Sequence, residues 1–176
     1  MGLSISIAAG AAPAAKNKTP DAKPEVVLFD SFDSLNAVSE KSSGWALDTT
    51  NRQFLANDGS RAVRFKNSKE YLMYRVHGAT GFIVRVFTKS ALEKLPAGVQ
   101  IYTSANGGKT TDLVDCAVLR TIPGGSEGGW TGYDLVPQAP RSPATDSVYV
   151  LANPVTDMAS DFEISQVTIL APKNAP

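Results

Sequence analysis

Apolar and polar residues alternate along this chain in short runs, the period of two that marks half-buried β-strands. The run 26–32 (VVLFDSF) is a β-prone opening. In 61–65 (RAVRF), Val63 and Phe65 share a face and Arg64 takes the other. In 70–78 (EYLMYRVHG), Leu72, Tyr74 and Val76 face one way, and Tyr71, Met73, Arg75 and His77 the other. In 81–89 (GFIVRVFTK), Phe82, Val84 and Val86 point inward, with Arg85 and Phe87 outward. In 99–104 (VQIYTS), Val99 and Ile101 stand opposite Gln100 and Tyr102. Further strands are expected at 113–122, 130–136, 147–152 and 162–170. Such runs, rich in Val, Ile, Phe and Tyr and separated by Gly, Asn, Asp, Ser and Pro, predict an all-β fold: an antiparallel β-sandwich of jelly-roll type.

The punctuation between runs sharpens this outline. Ser90 and Glu93 have capping-box spacing, and Pro96 and Gly98 stop the element, so one or two helical turns are expected near 90–95. Gly78-Ala79-Thr80-Gly81 reads as a tight hairpin between two long strands. Asn106-Gly107-Gly108 reads as a turn joining 99–104 to the run from Leu113 onward, because Asn and Gly accept positive φ cheaply. The glycine-rich stretch 123–129 reads as a flexible surface loop, not a phosphate loop, since it lacks a Gly-Lys-Ser/Thr ending and precedes a strand. The sandwich is expected over residues 25–170, with a tail at 171–176.

Residues 1–24 differ from the rest, being rich in Ala, Pro, Ser and Lys. Three readings stay open. The stretch from Leu3 to Ala12 is a signal-peptide remnant, with Ala12-Pro13-Ala14 as a small-residue cleavage site. Or the segment is a linker in a larger modular protein. Or Leu3, Ile5 and Ile7, alternating with Ser4 and Ser6, form a strand that docks on another subunit or domain.

Composition narrows the function classes. The 176 residues suit one domain, and 43 % hydrophobic residues suffice for a core. Lys+Arg and Asp+Glu both number 17, so there is no basic excess of the kind nucleic-acid binding requires, and no nucleic-acid partner is expected. No apolar run reaches the ~18 residues of a membrane span. The single cysteine, Cys116, forbids an intramolecular disulfide, and its apolar setting reads as a small buried side chain.

Catalytic constellations are sparse. One His and one Cys do not build an ordinary zinc site. His77 lies at a strand end, and no G-x-S-x-G elbow accompanies it. The Asp and Glu residues fall mostly at strand ends and turns, with no pair of glycosidase type standing out. No catalytic residue is assigned. Asp30 and Asp33 near the first strand and Asp161 near the last would converge if those strands pair, and oxygen ligands of this kind suit a structural Ca²⁺.

One resemblance adds to this reading. The march of Phe29-Asp30-Ser31-Phe32-Asp33, Ser43-Gly44-Trp45-Ala46-Leu47-Asp48-Thr49, Ser60-Arg61-Ala62-Val63-Arg64, Glu70-Tyr71-Leu72-Met73-Tyr74 and Ile101 to Gly108, with Trp130 opening a late strand, resembles the non-catalytic β-sandwich carbohydrate-binding modules of bacterial polysaccharide-degrading enzymes. Ser104-Ala105-Asn106-Gly107-Gly108-Lys109-Thr110 is similar to an Asp-box hairpin, with Asn106 in place of the Asp and Thr111 in place of the Trp. The resemblance implies a secreted, extracellular protein whose partner is a polysaccharide, bound on an aromatic-bearing sheet face or at a loop edge.

With strands 70–77, 81–88 and 99–103 as neighbours, Arg75, His77, Arg85, Phe87, Gln100 and Tyr102 form one basic, aromatic face suited to an acidic polysaccharide, since Arg grips carboxylates in two-point fashion. Trp130 is the rival edge site; Tyr133 shares a face with Leu135 and reads as core, while Trp45 fits core and platform equally. Two other functions compete. One is a structural subunit of an extracellular fibre, surface layer or capsid that self-associates through residues 3–7 by strand addition. The other is a hydrolase or lyase.

Overall fold

The computed structural model describes residues 23–50, 55–56, 58–89, 98–122, 129–141, 145–154 and 162–173. Twelve strands run through them: β1 (Pro24–Asp30), β2 (Glu40–Lys41), β3 (Trp45–Asp48), β4 (Arg61–Arg64), β5 (Glu70–Arg75), β6 (Gly81–Thr88), β7 (Val99–Ser104), β8 (Asp112–Leu113), β9 (Cys116–Ile122), β10 (Thr131–Pro137), β11 (Ser147–Ala152) and β12 (Phe162–Pro172). The helical turns expected at 90–95, most of the glycine loop 123–129, Asp161 and the segment 3–7 lie outside the described residues.

Every pairing among these strands is antiparallel. One sheet has the order β3-β4-β12-β6-β10-β9, with β1 joining β12 beside β4; the other has the order β2-β5-β11-β7-β8. The protein is an antiparallel β-sandwich. Its core lies between the layers, where Phe82, Val84 and Val86 of β6, Tyr133 and Leu135 of β10 and Ile164, Val167 and Ile169 of β12 meet Leu72 and Tyr74 of β5, Val99 and Ile101 of β7 and Val148 and Val150 of β11. These are the inward positions of the alternating runs. Trp45 joins them at 4 % exposure, donating its indole N–H to the Tyr71 carbonyl, so it is core and not a platform. Tyr133 is core as well.

Two features depart from simple alternation. In β12 a bulge between Ile164 and Gln166 shifts the inward set from even to odd positions, so that Phe162 and Ile164, then Val167, Ile169 and Ala171, all face the core. The second is the 78–81 turn. It does not close a hairpin: β5 belongs to the five-stranded sheet and β6 to the seven-stranded one, so this turn carries the chain between layers. The 106–108 turn does join paired strands, with Tyr102 opposite Leu113 and Thr103 opposite Asp112. No described helix is long and apolar enough to cross a membrane.

Candidate functional site

The inward set of the five-stranded sheet leaves a complementary set on its outer face. Leu72, Tyr74, Val99, Ile101, Val148 and Val150 are in the core, so Tyr71, Met73 and Arg75 of β5, Tyr149 and Leu151 of β11, and Gln100 and Tyr102 of β7 point the other way. Register assembles them into rows. Met73, Tyr149, Tyr102 and Leu113 stand side by side across four strands, with Glu40 at the β2 end. Tyr71, Leu151 and Gln100 form the next row.

Tyr102, Tyr149 and Leu151, with Lys69 and Thr111 at the margins, line an open depression of about 230 Å³. Its rings and polar groups are held by neighbours. The Tyr102 hydroxyl donates to Gln100 Oε1 at 3.2 Å, and Asn153 Nδ2 donates to the same oxygen at 2.9 Å. The Tyr71 hydroxyl donates to Glu40 Oε1 at 2.7 Å, and this bond to a carboxylate raises the phenol above its ordinary pKa. The 106–108 turn roofs Tyr149: a Cβ on Gly108, at φ +85°, would fall 2.1 Å from the Tyr149 hydroxyl oxygen, so only glycine fits. Asn106 Oδ1 accepts the Thr110 N–H, and Gly107 N–H donates to Asp146, which fixes the turn over the sheet.

The residues expected in one face divide between the layers. Gln100 and Tyr102 sit in the depression wall or beside it. Arg75 lies at the far end of β5, exposed, 3.9 Å from Glu40. His77 is exposed, two residues past the end of β5. Arg85 and Phe87 are on β6, in the other sheet, because β6 pairs with β10 and β12 and not with β5 or β7. Arg85 is already committed: Nε and Nη2 grip Asp134 at 2.8 and 3.0 Å. Phe87 faces outward by alternation yet is 1 % exposed. It is paired with Glu163, whose carboxylate holds the fully buried Arg61 at 2.6 Å. Arg61 in turn donates to the Thr50 and Asp58 carbonyls, which ties these two residues to β4. Trp130 is half-buried at the start of β10, with Lys89 Nζ 5.2 Å from its ring centre, and is likewise remote from the tyrosine face by topology.

Tyr149 and Leu151 were missed, though the run 147–152 already placed them opposite Val148 and Val150. Lys69 and Thr111 precede their strands and carry no periodic signal.

The first and last strands do pair, as the calcium expectation required, while Asp161 lies outside the described residues. Asp30 stands opposite Val167, and Phe162 is five residues farther along β12, roughly 17 Å of extended chain. Asp30 is buried and accepts from the Phe32 N–H at 2.9 Å and the Tyr74 hydroxyl at 3.0 Å. Asp33 is exposed and accepts from Ser31. Among the described residues no group of three His, Cys, Asp or Glu is placed to hold a metal ion. Burial pushes the Cys116 thiol up to about 11, with Asp115 adding to the effect, as suits an inert half-buried cysteine.

No protein-family model and no curated protein matches the chain. Solved structures do. A β-1,3-glucan-binding CBM6 from Bacillus halodurans aligns at a TM-score of 0.44 and 18 % identity, over 85 % of this chain and 96 % of that one. A catalytic-domain variant of a GH87 α-1,3-glucanase in complex with nigerose aligns at 0.36 and 13 %, over 78 % of this chain and 27 % of that one.

Proposed function

We propose that the protein is a non-catalytic carbohydrate-binding module, secreted to meet a polysaccharide, which lies across the outer face of the five-stranded sheet. The observation that carries this reading is the open depression walled by Tyr102, Tyr149 and Leu151. Sugar rings stack their C–H groups on aromatic faces, and hydroxyl, amide and ammonium groups at the margin take the sugar hydroxyls. Thr111, Gln100 and Lys69 supply such groups here. An acidic polysaccharide is the finer form of this reading. It rests on the cations of this face and no longer on Arg85. Affinity electrophoresis against neutral and acidic polysaccharides tests the proposal. Retardation of the parent protein that disappears in Tyr102→Ala and Tyr149→Ala is the expected result. Unchanged mobility in every gel sinks it.

One observation favours a second reading, a structural subunit. Strand β1 exposes Val26 at 59 %, Val27 at 49 % and Phe29 at 58 %, and among the described strands it pairs only with β12. Such an edge invites strand addition. Light scattering on the full chain and on a form lacking residues 1–22 separates the two: a strict monomer in both removes the subunit reading.

A further inference from the structure

We infer that Lys69 makes this depression a site for an anionic sugar, its charge a ring carboxylate or a sulfate ester; the inference rests on the glycan reading above. Among the described lining residues Lys69 is the only charged one, and no described carboxylate lines the depression with it. Several of the other described cations are engaged. Arg61 is held by Glu163 and Asp48, Arg85 by Asp134, and Lys173 stands 3.3 Å from Glu25. Lys66 donates to Ser43, and Lys89 lies over Trp130. Arg75, at the opposite end of the face, has Glu40 beside it.

Among the described residues Lys69 therefore brings an uncompensated positive charge to the margin of a depression walled by two phenol rings and a leucine. Low-dielectric walls focus the field of such a charge into the depression, where it draws an anion and discriminates against an uncharged ring. The lysine ammonium is a compact charge with three donors on a flexible stem. It reaches one anionic oxygen without demanding the planar two-point geometry of arginine, and so accepts either a carboxylate or a sulfate. A sugar seated with its ring on Tyr102 or Tyr149 would turn its charged substituent to Lys69 and its hydroxyls to Thr111.

The test uses the full chain in affinity gels containing polygalacturonate, carboxyl-reduced polygalacturonate, dextran and dextran sulfate, with Lys69→Met and Tyr102→Ala alongside. Lys69 is exposed, so its substitution leaves the fold intact. The expected result is retardation by polygalacturonate or dextran sulfate that falls about tenfold in Lys69→Met, falls similarly on carboxyl reduction where the uronate is the ligand, and weakens with added salt because exposed charge pairs are screened. Dependence on Lys69 in one anionic gel and not the other identifies which charged group is read, and supports the inference. It is overturned if Lys69→Met binds as the parent does, or if the neutral gels retard the parent as strongly as the charged ones. In those cases, loss of binding in Tyr102→Ala leaves the glycan reading standing. No retardation in any gel removes both.

Discussion

Phe87 and Tyr102 occupy equivalent outward positions in two strands, and what lies above each decides its role. Phe87 is 1 % exposed and stands opposite Glu163, which holds the buried Arg61. Tyr102 stays half-buried under solvent. Removing a sealed Phe side chain costs its transfer free energy plus a cavity, about 3–5 kcal/mol. Phe87→Ala should therefore lower urea stability by that order while leaving glycan retardation unchanged in the folded fraction. Tyr102→Ala should do the reverse, losing retardation with little change in the urea midpoint. Acidic groups make a second contrast. Burial, opposed by the Phe32 N–H and the Tyr74 hydroxyl, holds the Asp30 carboxyl above its ordinary value. The Ser42 and Ser68 hydroxyls and the Gly44 N–H hold Glu70 below its own. Gly44 permits that approach, since a Cβ there would fall 2.2 Å from the Glu70 carboxyl carbon. A raised carboxyl binds its proton more readily in the native state, so its contribution to stability is present below the unfolded pKa and is lost as pH rises through the folded one. A lowered carboxyl contributes above the unfolded pKa and loses that contribution as pH falls through the folded one. The gain in unfolding free energy between pH 4 and pH 7 should thus be larger in Asp30→Asn than in the parent, and smaller in Glu70→Gln. Urea titrations at the two pH values measure both; equal gains in all three proteins contradict the assignment.

At the scale of elements, the β4–β12 contact rests on a charge taken out of water. Arg61 has no exposure and is held by Glu163 at 2.6 Å and by Asp48 at 3.5 Å. Breaking a buried pair by deleting one partner leaves the other charge uncompensated, at a cost of about 3–5 kcal/mol. Because Glu163 and Asp48 retain some contact with solvent, Arg61→Met should sit at the lower end, about 3 kcal/mol, read from the urea midpoint. Nothing in the sequence foretold that pair, whose members are separated by most of the chain. Strand existence, by contrast, was legible: the runs 70–78, 81–89 and 99–104 give β5, β6 and β7 with their inward residues as expected. Alternation fixes which side chains share a face of one strand and says nothing about which strands are neighbours. Placing β6 beside β5 through a 78–81 hairpin was the natural local inference, and it failed because that turn passes between layers. Arg85 and Phe87 went to the wrong surface as a consequence. Gln100 and Tyr102 stayed on the right one because β7 does share a sheet with β5, through β11. Tyr149 was readable from its own run but acquired meaning only when register set it between Met73 and Tyr102. The β12 bulge was beyond a strict period of two, since one extra residue reverses every position after it.

For the whole molecule, the sandwich separates the proposed recognition surface from a supporting one. The five-stranded sheet carries the tyrosines outward, and the seven-stranded sheet backs it across a shared core. A ligand held on one face of so continuous a core must stabilise the entire fold, because it binds the native register of β7 and β11 and finds no such surface on the unfolded chain. Linkage gives the size: ligand at a hundred times its dissociation constant adds about 2.7 kcal/mol. For a domain of this length each kcal/mol moves the thermal midpoint by about 2–4 °C, so saturation should raise it by about 5–10 °C. Calorimetry with the glycan that retards the protein most strongly measures this rise. The Tyr102→Ala and Tyr149→Ala proteins should unfold at the same temperature with and without that glycan. Phe87→Ala, though less stable, should gain as much as the parent, since its lesion lies in the other sheet. A glycan that retards the protein in a gel yet leaves the midpoint unmoved would have to hold native and unfolded chains alike, which a surface assembled from four paired strands does not allow.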